Sequence, residues 1–469
     1  MMSQQEIKET PSGWKLAPIH SIVSEANTGL VRSAKEQHIK GQYPYIKMNN
    51  LTNSGKFDLR KMVYVDAVEK DLIKGQLHAG DFVFNTRNSA ELVGKCGVFK
   101  EDSNSAILFN NNLLRMRFSE VMPEIVSYWL NSPLGKQQLS SVTSATTNVA
   151  AIYQKSLLKL EVPLAPLLEQ KRIVEKLDSL LAQVDTIQQR LNNLPNIIKR
   201  FRQSVLAAAV SGKLTGDWSR ENNCKNWQEV VLSNITRSIS DGDHQAPPKA
   251  ESGIPFLVIS NVKTGVVNFD TVSRWVPESY YDSLKDIRVP KVDDILYTVT
   301  GSFGIPVQVK TDEKFCFQRH IAIIKPNCDF TSSRFLYHLL NSDFALRQAE
   351  ATATGTAQKT VALSSLRSFK FKIPTPVEQT EIVRLVEQHF ALADTLEKNL
   401  ANAKQRVDNL TQSILAKAFK GELVPQDPND EPAEKLLERI KAAREEAVIL
   451  EKAAKKVSKK TNDQKGVMS

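Results

Sequence analysis

Side chains able to grip an anion or to offer paired hydrogen bonds gather in short loops of this sequence. The early ones are Lys47, Asn49 and Asn50, then Asn85, Arg87 and Asn88, then Thr146, Thr147 and Asn148 with Tyr153. Later come Asn261 and Lys263, Thr300 and Ser302, Gln318 and Arg319, and finally Thr354, Thr356, Gln358 and Lys359. Lys and Arg neutralise phosphates, while Arg, Lys, Asn and Gln match the donor and acceptor edges of bases in a DNA major groove. For any single one of these residues, a plain solvated loop is the simpler reading. The net charge of +10 and pI near 9.2 suit an anionic partner without requiring one, since many basic proteins bind no nucleic acid.

Catalytic and metal-binding patterns are missing. Val93-Gly94-Lys95-Cys96 lacks the upstream glycine and the following hydroxyl of a phosphate-binding loop. Asp293-Asp294 could form a nuclease carboxylate pair, but a turn that opens a strand explains it as well. Cys96, Cys224, Cys316 and Cys328 include no close pair, and the seven histidines form no ligand cluster, so no metal is expected. Hydrophobic residues at 41% and charged residues at 24% are ordinary for a globular protein. The opening MMSQQEIKETPSGW has no apolar core of the kind a signal peptide needs, and no run of about 18 apolar residues occurs. A cytoplasmic protein with reduced thiols and no membrane contact is expected.

The elements that position these loops are set by an internal repeat. Residues Glu169–Leu214 fall in ungapped register on Glu378–Leu423. Glu169-Gln170 meets Glu378-Gln379, Asp185-Thr186 meets Asp394-Thr395, and Gln203-Ser204 meets Gln412-Ser413. Register held over so many turns indicates duplication. Both copies carry a heptad seam. In the first it runs Ile173, Leu177, Leu180, Val184, Ile187, Leu191 and on through Val205. In the second it includes Ile382, Val386, Leu396, Leu400, Val407 and Leu410, with His389 and alanines making it looser. Each helix starts after prolines, Pro163 and Pro166 or Pro374 and Pro376, and ends at a glycine, Gly212 or Gly421. Pro195 lies inside the first run and predicts a kink or short break. A helix of about 40 residues spans roughly 60 Å, and the natural partner for one seam is the other, antiparallel within one chain.

The stretches before each helix correspond more loosely. Gly80-Asp81-Phe82-Val83-Phe84 pairs with Asp293-Asp294-Ile295-Leu296-Tyr297, and Leu130-Asn131-Ser132 with Leu340-Asn341-Ser342. Alternating strand-type runs, then short helical stretches, predict an α+β chain with two mixed α/β domains. Residues 1–12 read as a flexible start, 13–160 as the first domain, 161–218 as the first long helix and 219–225 as a linker. Residues 226–372 read as the second domain, 373–424 as the second helix, and 425–469 as a linker, a short helix and a basic tail. The helix of that last segment places Leu436, Leu437, Ile440, Ala443 and Ala447 on one face, and its lysine run reads as a solvated tail. The loops 143–148 and 352–359 occupy comparable places just before the helices.

This layout resembles the specificity subunits of type I restriction–modification systems over nearly the whole chain. The most specific marks are Pro163-Leu164-Ala165-Pro166-Leu167-Leu168-Glu169-Gln170-Lys171-Arg172-Ile173-Val174, Gly212-Lys213-Leu214-Thr215, and Gln412-Ser413-Ile414-Leu415-Ala416-Lys417-Ala418-Phe419-Lys420-Gly421. The resemblance implies two target recognition domains, separated by two long helices in an antiparallel intramolecular coiled coil with approximate two-fold symmetry. Each domain would read one half of a split, asymmetric site in double-stranded DNA. The helices would dock two copies of a modification subunit that methylates adenine, and restriction subunits would complete the complex. No cofactor is expected on this chain; S-adenosylmethionine, ATP and Mg belong to the implied partners. An adenine methyltransferase would need an Asn/Asp-Pro-Pro-aromatic motif, whereas Pro247-Pro248 follows Ala246 and precedes Lys249. The chain is therefore expected to be a DNA reader rather than an enzyme. The alternative is a coiled-coil scaffold that assembles proteins without reading bases.

Overall fold

The structure, a computed structural model, describes residues 10–101, 105–147, 149–242, 246–356 and 358–465. They form two compact units. One joins the described residues up to Gln189 with those from Lys404 onward, and the other runs from Arg190 to Ala403. The division falls inside both long helices, so each unit holds part of each helix.

The first unit is centred on an antiparallel sheet ordered Val23–Thr28, Leu113–Phe118, Phe82–Asn85, Cys96–Val98. Side chains alternate across a strand, and here the alternation feeds two cores. Leu114 and Met116 enter one with Phe82, Phe84 and Trp129, while Leu113 enters the other with Val83 and Phe99. Helices Pro123–Asn131 and Pro133–Ser141 cover the first face. Ser132 caps the second of them, its hydroxyl accepting from the Gly135 N–H at 3.2 Å. A further sheet, in which Tyr43–Ile46 runs parallel to Ile107–Phe109, closes the other core. Lys15–Pro18 pairs with Glu161–Leu164 and so brings the chain's start beside the root of the long helix.

The second unit repeats this plan. Its sheet is ordered Thr236–Asp241, Ile321–Pro326, Ile295–Thr298, Pro306–Gln308. Ala322 and Ile324 enter one core, Ile321 and Ile323 the other. Helices Ser333–Leu340 and Asp343–Thr352 are capped by Ser332 and Ser342. A charge pair on a buried aspartate recurs as well. Arg117 pairs with Asp81 at 2.6 Å in the first unit, and Lys325 with Asp294 at 2.5 Å in the second. Each aspartate also accepts a backbone N–H three residues back, from His78 at 2.8 Å and Lys291 at 2.9 Å. Asp293-Asp294 is thus the turn that opens a strand, and the Asp294 carboxylate is spent on a buried lysine.

The long helices span Leu167–Val210 and Pro376–Phe419, 44 residues each. Gly212 and Gly421 follow them in the left-handed region, at φ 75° and 72°. In the first unit Gln188 donates to Asp408 at 3.0 Å, while Leu177 shares a core with Leu415 and Phe419. In the second, Arg202 pairs with Asp394 at 2.6 Å, and Ile198 packs with Ala393 and Leu400. Within each unit, then, the two helix segments run antiparallel.

The seam departs from an even heptad stripe. Ile173, Leu177, Ile382 and Val386 are buried in the domain cores, so the first turns of each helix pack on their own domain. Val184, Leu400 and Val407 are buried and Leu180 and Leu191 half-buried, but Ile187, Leu396 and Leu410 are 42, 45 and 45% exposed. A pair of helices shelters only a narrow stripe, and these three flank it. No break occurs at Pro195: the helix is continuous there, the proline is exposed, and Leu191, Leu194 and Ile198 hold the segment on its partner.

The C-terminal segment also differs from expectation. Its helix runs Ala433–Lys465, 33 residues rather than a short stretch, and includes the lysine run 452–460. No Gly or Pro interrupts it, and Ala, Glu, Lys and Leu favour the helix. Ala433, Leu436 and Ile440 join the first unit's core, Leu437 packs beside it, and Ala443 and Ala447 face solvent. Lys15 pairs with Glu434 at 2.9 Å, and Arg444 donates to the His20 carbonyl at 2.8 Å.

One place in the repeat is not equivalent. Tyr128 donates its hydroxyl to Asp178, but the residue in the matching place, His338, is 1% exposed with both ring nitrogens unpartnered. It lies against Phe390, ring centroids 5.8 Å apart, and burial pushes its pKa down to about 3. The unfolded chain takes up a proton near pH 6.5 that the folded core refuses, so stability is lost as pH falls below that value. Between pH 7 and 5 the unfolding free energy should drop by about 2 kcal/mol from this group alone. His338→Phe should remove that part of the acid slope in urea titrations; superimposable slopes for the two proteins would contradict it.

Candidate nucleic-acid interface

The loop residues selected by type fall into two kinds once their surroundings are known. Some are part of the scaffold. Asn50 is buried, its amide oxygen accepting the Lys47 N–H at 2.9 Å and its nitrogen donating to the Asp58 and Lys61 carbonyls at 2.9 and 3.2 Å. Asn261 repeats this, accepting the Val258 N–H at 2.9 Å and donating to Thr271 Oγ1 at 3.1 Å. Asn85 is fully buried between the Leu92 carbonyl and the Arg87 N–H. Thr300 is buried, its hydroxyl accepting from Thr360 at 3.3 Å. These four are corrected from contact candidates to structural residues, because an internally satisfied polar group has nothing left to offer a ligand.

The rest reach solvent on a shared platform. In the first unit Arg87–Asn88 is a short strand beside Ala150–Ala151, which pairs with Ser144–Ala145. Thr146 and Thr147 form the tip of that hairpin, with the Thr146 N–H on the Val149 carbonyl at 2.8 Å; Asn148 lies outside the described residues. The exposed Tyr153 follows directly, since the Ile152 N–H bonds the Thr86 carbonyl at 2.9 Å. In the second unit bridges Thr300–Thr360 and Thr354–Thr360 build the same three-stranded arrangement, and Val361 N–H bonds the Val299 carbonyl at 2.8 Å. Thr354, Thr356, Gln358 and Lys359 lie exposed on its hairpin, and Ser302 and Lys263 are exposed on neighbouring loops.

Lys47 is half-buried, its ammonium on Gln37 Oε1 at 2.9 Å, and Asn49 beside it is exposed. The Lys47–Asn50 loop meets the platform through Asn112, whose amide lies 3.8 Å from Met48 Sδ. Gln318 is half-buried and Arg319 exposed on a turn whose last residue, His320, accepts the Val299 N–H at 3.0 Å. The corresponding turn of the first unit, Asn110-Asn111-Asn112, escaped selection by residue type and loop position. Its signal was the Gln318-Arg319-His320 turn of the other copy: Asn110 N–H bonds the Ile46 carbonyl at 2.8 Å just as Gln318 N–H bonds Leu257 at 3.0 Å. Asn111 at its tip is exposed.

Lys95, in the glycine-lysine sequence weighed above, donates to the Met48 and Leu51 carbonyls at 2.8 and 2.5 Å and so braces the loop below. Among the described residues no helix is long and apolar enough to cross a membrane.

Comparison with known proteins agrees with this geometry. Residues 11–196 and 226–404 match the family described as the type I restriction modification DNA specificity domain. The chain is 34% identical over 466 residues to the StySPI type I restriction enzyme specificity subunit of Salmonella potsdam, covering 92% of this chain and 96% of that protein. It is 32% identical over 473 residues to the EcoKI specificity subunit of Escherichia coli K12, again covering 92 and 96%. Among solved structures, the HsdS subunit from Thermoanaerobacter tengcongensis aligns at TM-score 0.55 and 19% identity over 90% of this chain and all of that one. A chain from a study of assembly and conformational transition of the type I R-M system aligns at TM-score 0.65 and 18% identity, covering 88 and 99%. At these identities the structural likeness is one of fold.

The division into scaffold and free residues is measurable. Asn50→Ala or Asn261→Ala strands buried backbone groups and should cost about 1–3 kcal/mol of unfolding free energy. Arg87→Ala and Arg319→Ala, exposed and without side-chain partners, should stay within about 0.5 kcal/mol of the parent. Chemical denaturation of the four variants decides the matter; equal losses in both groups would erase the distinction.

Proposed function

The chain belongs to the type I restriction modification DNA specificity family, and from that premise we propose that each of its two units reads one half of a split site in double-stranded DNA. The observation that carries this reading is the duplicated platform: one backbone arrangement, built twice, that presents two different sets of polar side chains. A scaffold that only assembled proteins would gain nothing from such a pair. Because the two sets differ, the site they read is asymmetric.

Chemistry on the DNA belongs to other chains. Two copies of a modification subunit, using S-adenosylmethionine, would methylate an adenine in each half-site after extruding it from the duplex. Restriction subunits using ATP and Mg would translocate and cut unmodified DNA. This chain contributes specificity and the long helices on which those partners dock. The readers are residues of the platforms and adjoining loops: the exposed Asn49, Arg87, Thr146, Thr147 and Tyr153 with the half-buried Asn88 in the first unit, and the exposed Lys263, Ser302, Arg319, Thr354, Thr356, Gln358 and Lys359 in the second. Lys47 and Gln318, half-buried, orient them.

Mapping N6-methyladenine across the genome of cells that carry the modification subunit, with and without this chain, tests the reading. A split motif should appear only when the chain is present. Replacing residues 226–372 by an unrelated recognition domain should then change one half of that motif and leave the other intact. Loss of both halves by a folded hybrid would refute independent reading. Affinity of the assembled complex for its duplex should also fall steeply with salt, through release of counterions.

A further inference from the structure

Each platform has two neighbouring positions, one on the strand and one on the turn, and the free arginine occupies a different one in each unit. In the first unit the Thr86 N–H bonds the Asn112 carbonyl at 2.9 Å, with Arg87 one residue to one side and Asn111 one residue to the other. In the second, the Val299 N–H bonds the His320 carbonyl at 3.0 Å, with Thr300 and Arg319 in those places. Strand position and turn position therefore read Arg–Asn in one unit and Thr–Arg in the other.

The backbone beneath is rigid in both. The strand that supports the turn passes so close that only glycine fits. A Cβ on Gly29 would lie 2.1 Å from the Phe109 carbonyl oxygen, and one on Gly242 2.2 Å from that of Phe317. In the first unit Asn110 adds a second lock, its amide donating to Tyr45 Oη at 3.0 Å and accepting the Asn112 N–H at 2.9 Å. Many arginines elsewhere in the globular parts are engaged, among them Arg117 with Asp81, Arg237 with the Pro326 carbonyl, Arg334 with Glu387 and Arg367 with the Ile239 carbonyl; Arg347 is exposed, but it lies on the helix Asp343–Thr352 and not on the platform. Arg87 and Arg319 have no such partner among the described residues and are exposed.

An arginine that springs from a fixed backbone, with its guanidinium donors unused, suits an acceptor pair. The guanine edge in a major groove offers that pair, O6 and N7, to two parallel N–H groups. Taking the proposed DNA-reading function as given, we propose that Arg87 in the first unit and Arg319 in the second are the specificity-determining residues of the two half-sites, each reading a guanine edge. Asn111, exposed across the shared hydrogen bond, completes the pair in the first unit, whereas the buried Thr300 leaves Arg319 to read alone in the second.

The test uses the full chain with its modification subunit: methylation mapping in cells, and binding of the complex to the mapped duplex at several salt concentrations. The wild-type motif should contain a G·C pair in each half. Arg87→Ala should relax that pair in one half only and Arg319→Ala in the other, each weakening binding about 5- to 150-fold with the salt slope unchanged. Equal weakening on every duplex, with a slope lower by about one, would mark a phosphate contact and overturn the inference. So would a half-site without G·C, or a motif that both variants leave intact. Absence of any split motif with wild-type protein would instead overturn the parent reading, and this one with it.

Discussion

Everything else in each unit hangs on a buried Glu-Gln pair at the root of its long helix. Glu169 is 1% exposed and accepts the Trp14 indole N–H at 3.1 Å; Glu378, fully buried, accepts from Trp227 at 3.2 Å and Thr215 at 2.8 Å. A carboxylate taken out of water is tolerated only where such donors are fixed around it, and burial indeed raises the pKa of Glu169. The next residue bridges helix and domain. Gln170 accepts the Met122 N–H and donates to the Ala165 carbonyl; Gln379 accepts from Ser332 and donates to Phe330 and Pro374. Met122 and Ser332 cap the helices that cover each sheet, so one dipeptide ties long helix, covering helix and sheet together. The platform loops at the far end of that sheet inherit their positions from this joint.

Seen this way, the duplication separates two kinds of work. Residues whose hydrogen bonds close inside the unit recur in kind: Asn50 with Asn261, Asp81 with Asp294, Gly29 with Gly242. Residues that face outward do not: Arg87 stands where the second unit has the buried Thr300, and Arg319 where the first has Asn111. Internal satisfaction constrains a side chain in every direction at once. An exposed tip is constrained only by what it meets, and two tips that meet different bases have no reason to match.

That division also explains what could be read from the sequence. The repeat, the long helices and the mixed domains were legible because they rest on periodicity, which survives substitution at most positions. The platform loops were legible as regions, because Asn, Thr, Arg and Lys cluster between strand signals. Which of them point outward was not. Asn49 and Asn50 are adjacent and identical, yet one is exposed and the other is bonded to three backbone groups. Residue type gives the capacity for hydrogen bonds, not the identity of the partner. Pro195 shows the converse: its cost is local, and tertiary contacts through Leu194 and Ile198 hold the helix through it. The heptad count likewise overstated the seam, since spacing marks a face without saying how wide a partner covers it.

The gain from building a reader this way lies in independence. A base contact discriminates only if its backbone does not yield when the wrong base is presented, because a tip that relaxes recovers part of the lost interaction. Gly29 and Gly242, by admitting strand against turn at a distance no other residue permits, deny the tips that freedom. The side chain can then be exchanged without disturbing its support, and the support cannot adapt to rescue a mismatch. Duplication followed by change at the exposed positions alone is therefore enough to turn one recognition element into two of different preference, while the Glu-Gln joint keeps each anchored to its own helix root.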